Sequence, residues 1–108
     1  MSKNGARHPE VIDFLTHKDN VCSLYIVQSE PLTDELTLKL QEKINNYLTY
    51  ALDGQLDEQY PDLRNMKLRI QIDINDEPEG IAAEFLEKVR PIIEEEGIEF
   101  KIQVGIGG

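Results

Sequence analysis

The stretch MKLRIQIDI, from Met66 to Ile74, alternates without a break: Leu68, Ile70, Ile72 and Ile74 fall on one side, and Lys67, Arg69, Gln71 and Asp73 on the other. A β-strand throws successive side chains to opposite faces, so a period of two predicts a strand with one dry face and one wet face. Downstream, Pro78 suits the first turn of a helix, and Ile81, Phe85, Val89 and Ile92 repeat at helical spacing with Leu86 and Ile93 widening the stripe. Pro91 has no amide donor and clashes with the preceding turn. It predicts a kink, or a helix that ends early and leaves Glu94, Glu95 and Glu96 in a looser turn. Gly97 closes that helix, and Ile98, Phe100, Ile102 and Val104 alternate with Glu99, Lys101 and Gln103 to give a last strand.

Upstream, Thr33 can cap a helix whose first turn carries Asp34 and Glu35, where the helix dipole favours acids. Leu36, Leu40, Ile44, Tyr47, Leu48 and Ala51 draw its apolar stripe, and Gln41, Glu42, Lys43, Asn45 and Asn46 take the other side. Gly54 is its expected stop. Before it, Val11 to Leu15 and Val21 to Gln28 read as two strands around the turn His17-Lys18-Asp19-Asn20. The order is β-β-α-β-α-β, an α+β fold: a two-layer sandwich in which a mixed four-stranded sheet carries two helices on one face. A chain of 108 residues affords one core, so residues 1–108 are expected to form a single domain, with 1–9 as a disordered tail and 105–108 as a flexible one.

With the elements placed, VIDFLTHKDNVCSLYIVQ, LQEKINNYLTYALDGQLDEQYPD and FLEKVRPIIEEEGIEFKIQV together resemble an uncharacterised bacterial family of roughly hundred-residue α/β domains of unknown function. The most specific part is Leu-Gln-Glu-Lys-Ile-Asn, Tyr47, the turn Asp53-Gly54-Gln55-Leu56 and Gln59-Tyr60-Pro61-Asp62. The resemblance implies a compact α/β domain and brings no catalytic residues with it.

Composition excludes several functions. A net charge of −10 repels the phosphate backbone, so neither nucleic acid nor an anionic membrane surface is an expected partner. No apolar run approaches the ~20 residues that span a bilayer. Cys22 is the only cysteine, which rules out an intramolecular disulfide, suits a reducing compartment and, with a polar N-terminus, makes the cytoplasm the expected location.

Each candidate for chemistry has a plainer structural explanation. In DGQLDEQYPD the acids Asp53, Asp57, Glu58 and Asp62 lack the regular alternation of a calcium loop. Leu56 reads instead as an apolar clip on the helix end, and Tyr60-Pro61 as packing under the next strand. Cys22, His17 and Asp13 could meet on adjacent strands, but a reactive thiol needs an electropositive setting that this chain supplies poorly. His8 lies in the tail, and the glycines of VGIGG open no helix that could cradle a phosphate. No catalytic residue, metal or cofactor is expected.

What remains is surface. From Asp73 to Glu99 there are ten acids against Lys88 and Arg90, a bias that speeds association with a basic protein. Tyr47 falls on the core stripe whereas Tyr50 lies off it and is the expected contact residue, together with Glu84, Glu87, Glu94 and Glu95. The expectation is a non-enzymatic protein-interaction module, immunity- or inhibitor-like, with a basic protein partner. The alternatives are a self-associating homodimer built on a sheet face or edge, and a small hydrolase or ligand-binding domain that would need a concave site near His17, Cys22 or Asp57.

Overall fold

A computed structural model describes residues 5, 6, 8, 12–63 and 66–105. Its strands are β1 (Phe14–Lys18), β2 (Val21–Gln28), β3 (Lys67–Ile74) and β4 (Glu99–Val104), and its helices are α1 (Asp34–Leu52), a short α2 (Gln55–Gln59) and α3 (Gly80–Glu95), with a 3-10 turn at Pro61–Leu63. The sheet order is β1-β2-β3-β4; β1 runs antiparallel to β2, while β2, β3 and β4 are parallel. The α+β sandwich read from the sequence is the fold, and α2 with the 3-10 turn is the addition to it.

The alternation of β3 does what its period requires. Ile70, Ile72 and Ile74 are buried, and in register beside them lie Leu24 and Ile26 of β2 and Phe100 of β4. Leu36, Leu40, Ile44 and Tyr47 of α1 and Leu86, Val89 and Ile93 of α3 close over this surface as one core. Two parallel crossovers stepping the same way across the sheet, each right-handed, must place their helices on the same side. The opposite face carries Phe14 and Tyr25, whose rings meet edge to face at 5.3 Å, and Arg69, which donates from Nε and Nη2 to Glu99 Oε2 at 3.1 Å.

Three local readings shift. The hairpin turn is only Asp19-Asn20, both at positive φ (52° and 64°), so His17 and Lys18 belong to β1 and not to the turn. A two-residue turn with both residues left-handed matches the twist of the flanking strands, and Asp and Asn tolerate that geometry. The expected start of this strand at Val11 lies outside the described residues. In α3 the buried positions are Ala82, Leu86, Val89 and Ile93, one step round from the predicted stripe, leaving Ile81 and Ile92 52% and 56% exposed. The helix runs through Pro91 to Glu95 because Pro91 lies on the solvent side, where the carbonyl it leaves unbonded can be hydrated. At the end of α1, Gly54 adopts φ +83° as expected and Leu56 is buried; Tyr60 is 42% exposed, and Leu63 takes the packing position expected of it.

The largest departure is Lys43. Its neighbours in sequence put it on the wet side of α1, yet it is 0% exposed and its Nζ donates to Asp13 Oδ1 at 2.5 Å, Gly5 O at 2.8 Å and His8 O at 3.1 Å. Asp13, whose side chain is also fully buried, accepts on its other oxygen from the amides of Gly5 and Val27. Gln28 accepts from the Ala6 amide at 2.7 Å and donates to Glu30 O, and the Tyr47 hydroxyl accepts from the Asp13 amide and donates to Tyr25 O at 2.6 Å. Of the residues 1–9 expected as a tail, the described ones are thus seated in this network, with Ala6 buried. Gly5 sits at φ +92°, and a Cβ there would stand 2.8 Å from Gln28 Oε1, so only glycine fits. At the other end the Gly105 amide donates to Ile74 O, and residues 106–108 of the expected C-terminal tail lie outside the described residues.

Removing one partner of a buried ion pair strands the other, at a cost of about 3–5 kcal/mol, whereas exposed positions on the same helix change stability by about 0.5 kcal/mol or less. Lys43→Ala is therefore expected to lower the unfolding free energy by about 3–5 kcal/mol and Glu42→Ala to leave it nearly unchanged, as read by urea denaturation.

Candidate functional site

β1 is an edge strand, and beside its free edge stands the segment that follows α1. Gly54 turns the chain back, Leu56 and Leu63 anchor it in a small apolar cluster with Cys22, and Tyr60, Pro61 and Asp62 are left standing above the surface. Between this wall and the strand lies a groove of about 690 Å³, bordered by Phe14, Leu15 and His17 on the strand side and by Tyr50, Tyr60 and Asp62 on the other. The Tyr50 hydroxyl donates to Gln59 Oε1, which fixes its ring against α2. Burial, then the neighbouring Tyr60 and Cys22, push the Tyr50 phenol above its ordinary pKa, so it is a hydroxyl donor at neutral pH.

The acidic turn and the candidate contact Tyr50 therefore come together. Asp53, Asp57, Glu58 and Asp62 do not converge: among the described residues, no group of three or more His, Cys, Asp or Glu side chains is placed to hold a metal ion. Glu84, Glu87, Glu94 and Glu95 lie exposed on α3, and none of them lines the groove. Glu84 lies 3.9 Å from Lys88 and Glu94 lies 4.0 Å from Arg90, loose pairs between exposed side chains.

The Cys22, His17 and Asp13 constellation is partly assembled. His17 lies directly opposite Cys22 in the β1–β2 ladder. Asp13 is on the same face but four residues back, about 13 Å along the strand, and its carboxylate is held by Lys43. The Cys22 side chain is buried in the cluster with Leu56 and Leu63, and burial raises its thiol pKa, which disfavours the thiolate that a nucleophile requires. The groove lies beside His17, and neither Cys22 nor Asp57 lines it.

Sequence reasoning missed the burial of Lys43 and Gln28, and set Asp13 beside Cys22 and His17 where its partner is Lys43. The signal for Lys43 was present: Leu36, Leu40, Lys43 and Tyr47 are spaced four, three and four apart, on the core stripe itself. Burial also pushes the Tyr47 phenol up, so its hydroxyl remains a donor to Tyr25 O at any physiological pH.

Because the Cys22 thiol is covered, native protein is expected to react with a thiol-specific disulfide reagent far more slowly than protein unfolded in urea. Equal rates in the two states, followed by absorbance, would show that the thiol is accessible in the fold.

No helix among the described residues is long and apolar enough to cross a membrane. Neither a characterised protein nor a solved structure matches this chain. One family model does, over residues 5–105, from the seated Gly5 to the glycine that ends β4. The protein thus belongs to the family of unknown function DUF6572.

Proposed function

We propose that the protein is a non-enzymatic protein-interaction module, inhibitor- or immunity-like, that works in a reducing compartment such as the cytoplasm and meets a partner with a basic surface. The observation that carries this reading is the segregation of acid. The solvent side of α3 presents Glu84, Glu87, Glu94 and Glu95, all exposed. A hollow of about 440 Å³ where β2 and β3 end is rimmed by Glu30, Asp76, Glu77 and Glu79. A field of one sign draws an oppositely charged surface in and repels wrong partners. The groups best suited to nucleophilic chemistry point the other way, since Cys22 is covered and Asp13 is committed to Lys43.

Pull-down from cell extract is the test. The wild-type chain is expected to retain a partner at about 50 mM salt and to release it near 0.5 M, where the screening length falls to a few ångströms. The variant Glu84→Lys/Glu87→Lys/Glu94→Lys/Glu95→Lys is expected to retain none. Absence of any salt-sensitive partner removes the basis of the proposal.

A second reading, self-association through a sheet edge, is favoured by β1 lying at the margin of the sheet. Light scattering on concentrated protein is expected to give twice the monomer mass if it holds, and a strictly monomeric mass rejects it.

A further inference from the structure

We propose that the groove along β1 receives an extended segment of the partner polypeptide, which joins the sheet as a fifth strand and directs a lysine or arginine at the turn after α1. This rests on the interaction-module reading and adds to the acidic α3 surface a second, separate contact with the same partner.

The backbone of β1 carries the first step. A two-residue hairpin turn makes its flanking residues, Lys18 and Val21, a hydrogen-bonded pair, and in an antiparallel ladder such pairs alternate with non-bonded ones. Thr16 and Phe14 therefore exchange bonds with β2, while Leu15 and His17 turn their amides and carbonyls to the open edge. Among the described residues, no side chain or loop bonds those groups. The opposite edge differs: Arg90 reaches from α3 over the Phe100 ring and donates to the Phe100 carbonyl at 2.9 Å. The available ladder is short, because the Asp13 amide donates to the Tyr47 hydroxyl and closes it at that end. An added strand thus finds two donors and two acceptors, spaced as a β-strand spaces them.

The wall selects the occupant. Tyr50, Tyr60 and Leu63 face the strand across the groove, so alternate residues of an extended segment would rest on aromatic and aliphatic surface while the others emerge beside Phe14. From Ile44 to Leu63 there is no lysine or arginine, but there are Asp53, Asp57, Glu58 and Asp62, and Asp62 borders the groove itself. A basic residue in the segment is the electrostatic complement. A second copy fits less well: a two-fold axis through paired β1 strands keeps both helical layers on one side, so the two acidic turns would be driven onto the same pair of strands.

The test is to pan a displayed library of random peptides of about twelve residues against the full chain, then to measure the selected peptides in solution. Enriched peptides are expected to alternate apolar residues near a lysine or arginine and to slow hydrogen exchange at the Leu15 and His17 amides. His17→Pro removes an outward-facing donor without breaking a bond to β2, and is expected to weaken binding about ten-fold. Tyr60→Ala, at an exposed position, is expected to weaken binding with the fold intact and serves if the proline variant does not fold. Peptides that bind both variants as tightly as wild type, or that protect α3 in place of β1, overturn the groove and leave the module reading standing. So does a library that yields nothing while extract still yields a salt-sensitive partner. If extract yields none either, the module reading falls as well. A mass that doubles with concentration and is halved by His17→Pro assigns the edge to a second copy and overturns the proposal.

Discussion

The structure depends on one buried ion pair. Lys43 and Asp13 are both removed from water, and each is costly there until every donor and acceptor is matched. Lysine has three donors, and among the described residues its acceptors include Asp13, Gly5 O and His8 O; the second oxygen of Asp13 takes the Gly5 and Val27 amides. Such a pair contributes little net stability compared with apolar residues of the same volume, because desolvation cancels most of the attraction. Its effect is on geometry: α1, the residue before β1, the end of β2 and the N-terminal residues Gly5, Ala6 and His8 can satisfy it in one arrangement. A register slip of β1 by one residue would turn the Asp13 carboxylate to the open face and leave the ammonium of Lys43 buried without its counter-charge.

The apolar layer was legible in the sequence for a simple reason: periodicity reports which side of an element is dry. Ile70, Ile72 and Ile74 had to face a core, and Leu36, Leu40 and Ile44 had to meet them. Periodicity is weaker at the margin of a stripe. In α3 the row Ile81, Phe85, Val89 and Ile92 and the row Ala82, Leu86, Val89 and Ile93 share Val89, their mean directions differ by roughly 75° around the helix, and the second wins. Only the shape of the surface under the helix chooses between them. Lys43 was missed through a rule about residue type, since lysine is almost never fully buried unless paired, and its partner lies 30 residues away, just before β1.

The groove was legible in parts but not as a site. Tyr50 and the turn DGQLDEQYPD were each singled out, and Gly54 and Leu56 took their expected roles. Their meeting with β1 is a fact of topology: the short α2 folds back beside the hairpin, and no spacing in the sequence encodes that distance. The four α3 glutamates lie outside this groove because α3 belongs to the β3–β4 side of the sheet.

Fold and groove are joined through the same few atoms. The Tyr47 hydroxyl that accepts from the Asp13 amide ends the free edge of β1, and the Asp13 carboxylate that holds Lys43 takes the place of the next ladder bond at Val27. The buried network therefore sets where the sheet stops being self-sufficient, and Leu15 and His17 lie just beyond that boundary. An edge strand left open is a hazard for aggregation unless it is short or guarded. β1 is five residues long, ends in Lys18 and is flanked by a wall that carries Asp62. Those features exclude broad, indiscriminate pairing between sheets while leaving room for one chain, which is the difference between an aggregation site and a selective one.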